Sequence, residues 1–175
     1  MKNVVIIGGG TGLSVMLRGM KNIKDVQLSA VVTVADDGGS TGRIRDAYNI
    51  PAMGDIRNVM CAMAEKEGLF AELMNYRFGG EGDIAGHNLG NLLLLALSQT
   101  TGSFMEAIRT FSRVLKVKGR IIPSTLEVVT LFAMMEDGTI VRGEDNIPKF
   151  RNHIDRVFYQ RDIKATEESL TAIRE

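Results

Sequence analysis

A chain of 175 residues is long enough to bury the core of one ordinary domain, and with 45% hydrophobic and 24% charged residues its composition is globular rather than disordered. Its 21 Lys and Arg balance its 21 Asp and Glu, which excludes the basic excess of a general nucleic-acid or polybasic membrane binder. The single cysteine, Cys61, excludes an internal disulfide framework, and with only two distant histidines, His87 and His153, no metal site is expected.

Met1-Lys2-Asn3 runs straight into a strand pattern with no signal-peptide signature, and no apolar run reaches the roughly 18 residues of a membrane span. A cytoplasmic location is therefore expected. Val4-Val5-Ile6-Ile7 is an unbroken apolar run ending in glycines, the pattern of a parallel strand buried on both faces. Leu13, Met16, Leu17 and Met20 recur at a helical period, and residues 28–34 read as a second strand leading to Asp36-Asp37. Strand, glycine turn, helix and strand make a βαβ unit with a right-handed crossover.

Residues 36–51, rich in glycine and charge and poor in periodicity, read as a long functional loop. Helices are expected over 55–65 and 70–78, and 79–83 is a glycine-rich connection. Residues 89–97 are apolar nearly all round, as in a helix buried in the core, and Ser103 with Glu106 forms a capping box for the next helix. Residues 120–122, 126–134 and 139–141 read as strands, the last two joined as a hairpin through Glu136-Asp137-Gly138. Thr166 opens a final helix pattern that runs to the last residue. The expected fold is α/β, a Rossmann-like three-layer sandwich around a mostly parallel sheet, with residues 1–175 forming a single nucleotide-binding domain.

Gly8-Gly9-Gly10-Thr11-Gly12 leaves a strand and opens a helix. At such a turn free N–H groups and the positive end of the helix dipole favour an anion, and missing side chains let a phosphate approach the backbone. Thr11 adds a hydroxyl. The run lacks the Gly-Lys-Ser/Thr ending of a P-loop and the strict Rossmann spacing, whose third glycine would fall at Leu13. A tight turn with no ligand is the plainer reading of the same residues.

Asp36 stands where dinucleotide folds place a carboxylate for ribose hydroxyls; alternatively it caps a loop with Asp37. Gly38-Gly39-Ser40-Thr41-Gly42, followed by Arg43 and Arg45, offers a nest for a second anion, or else a loop of mutually paired charges. Gly54-Asp55-Ile56-Arg57-Asn58 opens a helix with Asp55 as N-cap and Arg57 as a phosphate ligand. In Gly86-His87-Asn88-Leu89-Gly90-Asn91, polar residues lead straight into a buried helix and need partners. His87 and Asn88 serve as caps or ligands, whereas Asn91, one turn inside, is harder to explain as a cap. Pro123-Ser124-Thr125 reads as a turn, Cys61 as a small buried hydrophobe and His153 as a surface histidine. No acid/base pair or nucleophile stands out.

On these motifs, together with Ser124-Thr125-Leu126-Glu127, the sequence resembles the gluconeogenesis factor (YvcK-type) family of bacteria, in a superfamily with 2-phospho-L-lactate transferase of the CofD type. The motifs occur in order along most of the chain. The resemblance implies a Rossmann-like core whose turns surround a nucleotide or nucleotide-sugar. For the YvcK branch it implies UDP-sugar ligands and a regulatory role in cell shape and envelope supply during gluconeogenic growth. For the CofD branch it implies phospholactyl transfer from a guanylyl-activated donor to a deazaflavin, with magnesium on Asp37 or Asp55 and Arg43, Arg45 or Arg57 neutralising a diphosphate. NAD is chemically admissible in the same cleft. Gly-Gly-Gly-Thr-Gly also occurs in tubulin-like GTPases, but that signature continues Thr-Gly where this chain has Leu13-Ser14. A homo-oligomer is expected. Family members are longer, with another glycine-rich strand-to-helix segment in their second half, so a continuation beyond Glu175 is expected.

Overall fold

The computed structural model describes residues 1–66 and 68–175. Three parallel strands, β1 (Lys2–Gly8), β2 (Val26–Val32) and β3 (Arg120–Pro123), form one sheet in the order β1-β2-β3. Helix α1 (Gly10–Met20) joins β1 to β2. Among the described residues, five helices lie between β2 and β3: α2 (Gly39–Tyr48), α3 (Gly54–Met63), α4 (Leu69–Asn75), α5 (Leu89–Thr101) and α6 (Phe104–Val114). A second, antiparallel sheet follows, with β4 (Phe132–Met135), β5 (Ile140–Arg142) and β6 (Ile154–Phe158) in the order β5-β4-β6, and then α7 (Glu167–Arg174).

Alternation along a strand sends every second side chain to one face. Leu28, Ala30 and Val32 of β2 and Ile121 of β3 accordingly join Leu13 and Leu17 of α1, Ile56, Val59, Met60 and Met63 of α3, and Leu94 of α5 in the main core. The antiparallel sheet has a small core of its own around Ala133, Met135, Val141 and Ile147. Cys61 is buried and His153 exposed, as expected. The Asp137-Gly138 hairpin joins β4 to β5 in antiparallel register, and Ser103 and Thr166 cap α6 and α7.

Three expectations need correction, and one strand is added. The stretch 36–51 is not a long loop: most of it is α2, whose Ser40, Thr41, Gly42, Ile44 and Arg45 are buried. Its helicity comes from packing of small and polar side chains rather than from an apolar period, so pattern reading missed it. β1 is not buried on both faces. Among the described residues it pairs with β2 alone, and Ile7 is 61% exposed. The strand expected over 126–134 is confined to Phe132–Met135, because the chain crosses from one sheet to the other in between. β6 was not foreseen, since Asp155 and Arg156 interrupt its apolar pattern.

Candidate anion-binding site

The carboxyl ends of β1 and β2 both face the starts of helices, the position where open α/β sheets bind ligands. At the end of β1, Gly9 is the extended N-cap of α1 and Gly10 has φ +64°. The first helical turn has no side-chain cap of its own. Asp55, in the first turn of α3, supplies one from across the cleft: its carboxylate accepts from the Gly10 N–H and from Thr33 Oγ1 at 3.3 Å. The N-cap of α3 is Met53, so Asp55 does not cap its own helix. Only glycine fits at position 9, because a methyl carbon there would lie 2.2 Å from Thr33 Oγ1 and 2.5 Å from Asp55 Oδ2. Burial pushes the Asp55 carboxyl above its ordinary range. The Gly10 N–H opposes that shift and the nearby Asp36 adds to it.

The second glycine segment and the Gly86–Asn91 motif meet in a continuous hydrogen-bond network. Ser40 Oγ accepts from the Asn88 N–H at 3.1 Å and from Asn91 Nδ2 at 3.4 Å, and lies 3.2 Å from His87 Nδ1. The other Asn91 Nδ2 proton goes to Thr41 Oγ1 at 3.3 Å, and Asn91 Oδ1 receives Arg57 Nη1 at 3.5 Å. Asn88 caps α5 through the Asn91 N–H at 3.2 Å. Asn91 is 1% exposed, so its partners are protein groups that join the starts of α2, α3 and α5. Arg57 donates also to Asn58 Oδ1 at 2.6 Å, and burial lowers its pKa, with Arg77 acting in the same direction. Its stem passes beside Gly90, where a methyl carbon would lie 2.8 Å from Arg57 Cδ.

Asp36 Oδ1 accepts from the Gly38 N–H at 2.9 Å, closing the turn that opens α2, where Gly39 has φ +48°. Asp37 Oδ1 accepts from the Asp145 N–H at 3.0 Å, so the segment after β5 abuts this turn. Burial, followed by the charges of Asp36, Asp55, Asp37 and Asp145, pushes the Glu144 carboxyl up. Among the described residues no three His, Cys, Asp or Glu side chains are placed to hold a metal ion.

Of the arginines, Arg43 braces the neighbouring loop through Ala85 O at 2.9 Å. Arg45 is buried and donates to Val129 O at 3.1 Å, which makes it a structural residue rather than an anion ligand. Thr11 and Asn58 line a groove of about 190 Å³ with Ser14, Val15, Arg18, Cys61 and Asn75. Complete small-molecule sites occupy about 300–1,000 Å³, so this groove fits a phosphate or one ring. Gly8 and Gly12 bracket the first turn, at the end of β1 and inside α1. Sequence reasoning missed Thr33, Arg77, Glu144 and Asp145. A polar residue just past a strand and a glycine-acid pair after a hairpin were the available hints, and neither announces a contact across 100 residues.

The family model for 2-phospho-L-lactate transferase CofD matches residues 4–175. The chain is 49% identical over 174 residues to the gluconeogenesis factor of Halalkalibacterium halodurans, covering 99% of this chain and 54% of that protein. It is 47% identical over 173 residues to the gluconeogenesis factor of Bacillus subtilis, covering 98% and 53%. An X-ray structure of a Bacillus halodurans protein superposes with a TM-score of 0.94 at 48% identity, over 99% of this chain and 56% of that one. A second structure, described as a member of the UPF0052 family, gives 0.92. The chain thus spans about half the length of the relatives it matches.

Proposed function

The chain belongs to the CofD family, and on that premise we propose that it provides the phosphate-binding part of a cytoplasmic, homo-oligomeric regulator of the gluconeogenesis-factor type, with a UDP-sugar as ligand. Its role would be in cell shape and envelope supply under gluconeogenic growth. The observation that carries this reading is the polar network that links Ser40, Thr41, Arg57, His87 and Asn91 at the starts of α2, α3 and α5, with the Gly10 turn held separately by Asp55 of α3. Arginines and the starts of α2 and α3, which have no side-chain caps, suit a diphosphate. Gly8, Gly9, Gly12 and Thr11 would face one phosphate, Gly38 and Gly39 the second, and Asp36 a ribose hydroxyl. No helix of the described residues is long and apolar enough to cross a membrane.

Calorimetric titration with UDP-N-acetylglucosamine, with GDP and NAD as comparison ligands, tests the proposal. Selective binding of the UDP-sugar supports it, and no binding of any of the three overturns it. The match to the transferase model favours a second reading, phospholactyl transfer from a guanylyl-activated donor to a deazaflavin. Selective binding of GDP moves the assignment to that reaction.

A further inference from the structure

We infer that Ser40 is a positioning residue: it fixes His87 as the neutral tautomer protonated at Nε2, so that His87 meets an anionic ligand as a hydrogen-bond donor and not as a base or a cation. A hydroxyl has one proton to donate and two lone pairs with which to accept. Ser40 is 3% exposed, which limits its partners to those the fold supplies. Its lone pairs receive the Asn88 N–H and Asn91 Nδ2. The Asn91 amide cannot turn over, because its Oδ1 faces the donor-only guanidinium of Arg57. The single Ser40 proton therefore goes to His87 Nδ1, 3.2 Å away, and Nδ1 must be bare. A neutral imidazole with a bare Nδ1 carries its proton on Nε2.

The surroundings favour the same state. Arg43, from α2, and Arg77, from the segment after α4, are the charged groups acting on His87; both oppose a cation there, and burial acts first in the same direction. The two guanidiniums also hold the loop that carries the ring, through Ala85 O at 2.9 Å and Gly86 O at 2.6 Å. The His87 N–H donates to Ile84 O, and its carbonyl accepts from the Phe78 N–H. The ring thus sits on a braced backbone with Nε2–H as its remaining donor. The positive charge for an anion comes from the arginines, and His87 adds a neutral contact that suits a phosphate oxygen.

The use of Nε2–H rests on the anion-site reading above, whereas the tautomer belongs to the ligand-free protein and is tested there. Ring-nitrogen NMR on the full chain, with His153→Gln to assign the two histidines, should show an unprotonated Nδ1 and a protonated Nε2 at neutral pH. In Ser40→Ala the tautomers should mix, with Nδ1 protonated in part of the population. Ser40→Thr, which keeps the hydroxyl, should restore the wild-type pattern. A proton on Nδ1 in the wild type overturns the assignment, and so does a folded Ser40→Ala variant with an unchanged ring spectrum. If Ser40→Ala does not fold, the wild-type spectrum and Ser40→Thr decide alone. Inorganic pyrophosphate added to the wild type should shift the Nε2 resonance. An unmoved resonance overturns the His87–anion contact and leaves the Ser40 assignment standing.

Discussion

Replacing Gly90 by alanine isolates one close helix contact in the site. The new methyl carbon would lie 2.6 Å from the Met74 carbonyl oxygen, 2.8 Å from Arg57 Cδ and 2.9 Å from Met74 Cε. The Met74 oxygen must recede by about 0.8 Å to reach an ordinary 3.4 Å contact. It has little room to do so. Met74 is fully buried, and the start of α5 is tied to the segment after α4 by the Leu89 N–H to Tyr76 O bond of 2.8 Å. Overpacking of this kind costs about 1–3 kcal/mol, and the gain in helix propensity returns at most about 1 kcal/mol. A net loss of about 1–2 kcal/mol corresponds to a fall in Tm of roughly 2–8 °C for a chain of this size. Thermal unfolding followed by circular dichroism measures it, and amide spectra should show shifts at Arg57 and Asn91. A melting temperature within about 1 °C of wild type, with those amides unmoved, would refute the close-packing account of the glycine.

Gly19→Ala makes the same chemical change where nothing lies within 4 Å of the added carbon. It should stabilise α1 by about 0.4–1 kcal/mol, and a lower Tm than wild type would contradict this. Asp55→Asn tests the buried carboxylate: because its native pKa lies above the unfolded 3.8, the folded state binds the proton more tightly and stability falls as pH rises through that interval. The difference in Tm between Asp55→Asn and wild type should therefore grow in favour of the variant as pH rises from 3.8 and then level off; a flat difference counts against the shift. Gly10→Val meets both a φ of +64° and the phosphate approach, so a folded variant should lose detectable pyrophosphate binding by calorimetry. Retained binding removes the first turn from the site.

The βαβ start, the hairpin and the capped helices were legible because each rests on a local signal: an apolar run, an Asp-Gly pair, a Ser or Thr before a periodic stretch. α2 was not legible, because Ser40, Thr41 and Arg45 are buried by partners about 50 to 84 residues away, and no window of sequence contains those partners. The site divides in the same way. The glycine segments and the Gly86–Asn91 motif mark themselves by composition, and Asn91 stands out because a polar side chain one turn inside a buried helix demands partners. Which partners it has is a property of the fold, as is the reach of Asp55 across to Gly10. Arg45 shows the converse: adjacent arginines look alike in sequence, but the helical turn sends Arg43 outward and Arg45 into the protein.

Among the described residues, the first glycine turn hangs from a strand that is paired on one side. Opening β1 breaks a single ladder, whereas opening β2 breaks two, so the free energy of local opening is lower at the strand that ends in Gly8-Gly9-Gly10 than at the central strand. In hydrogen exchange the β1 amides should lose protection ahead of those of β2. A ligand that grips Gly10 would therefore register as slowed exchange along β1, several residues from any atom it touches.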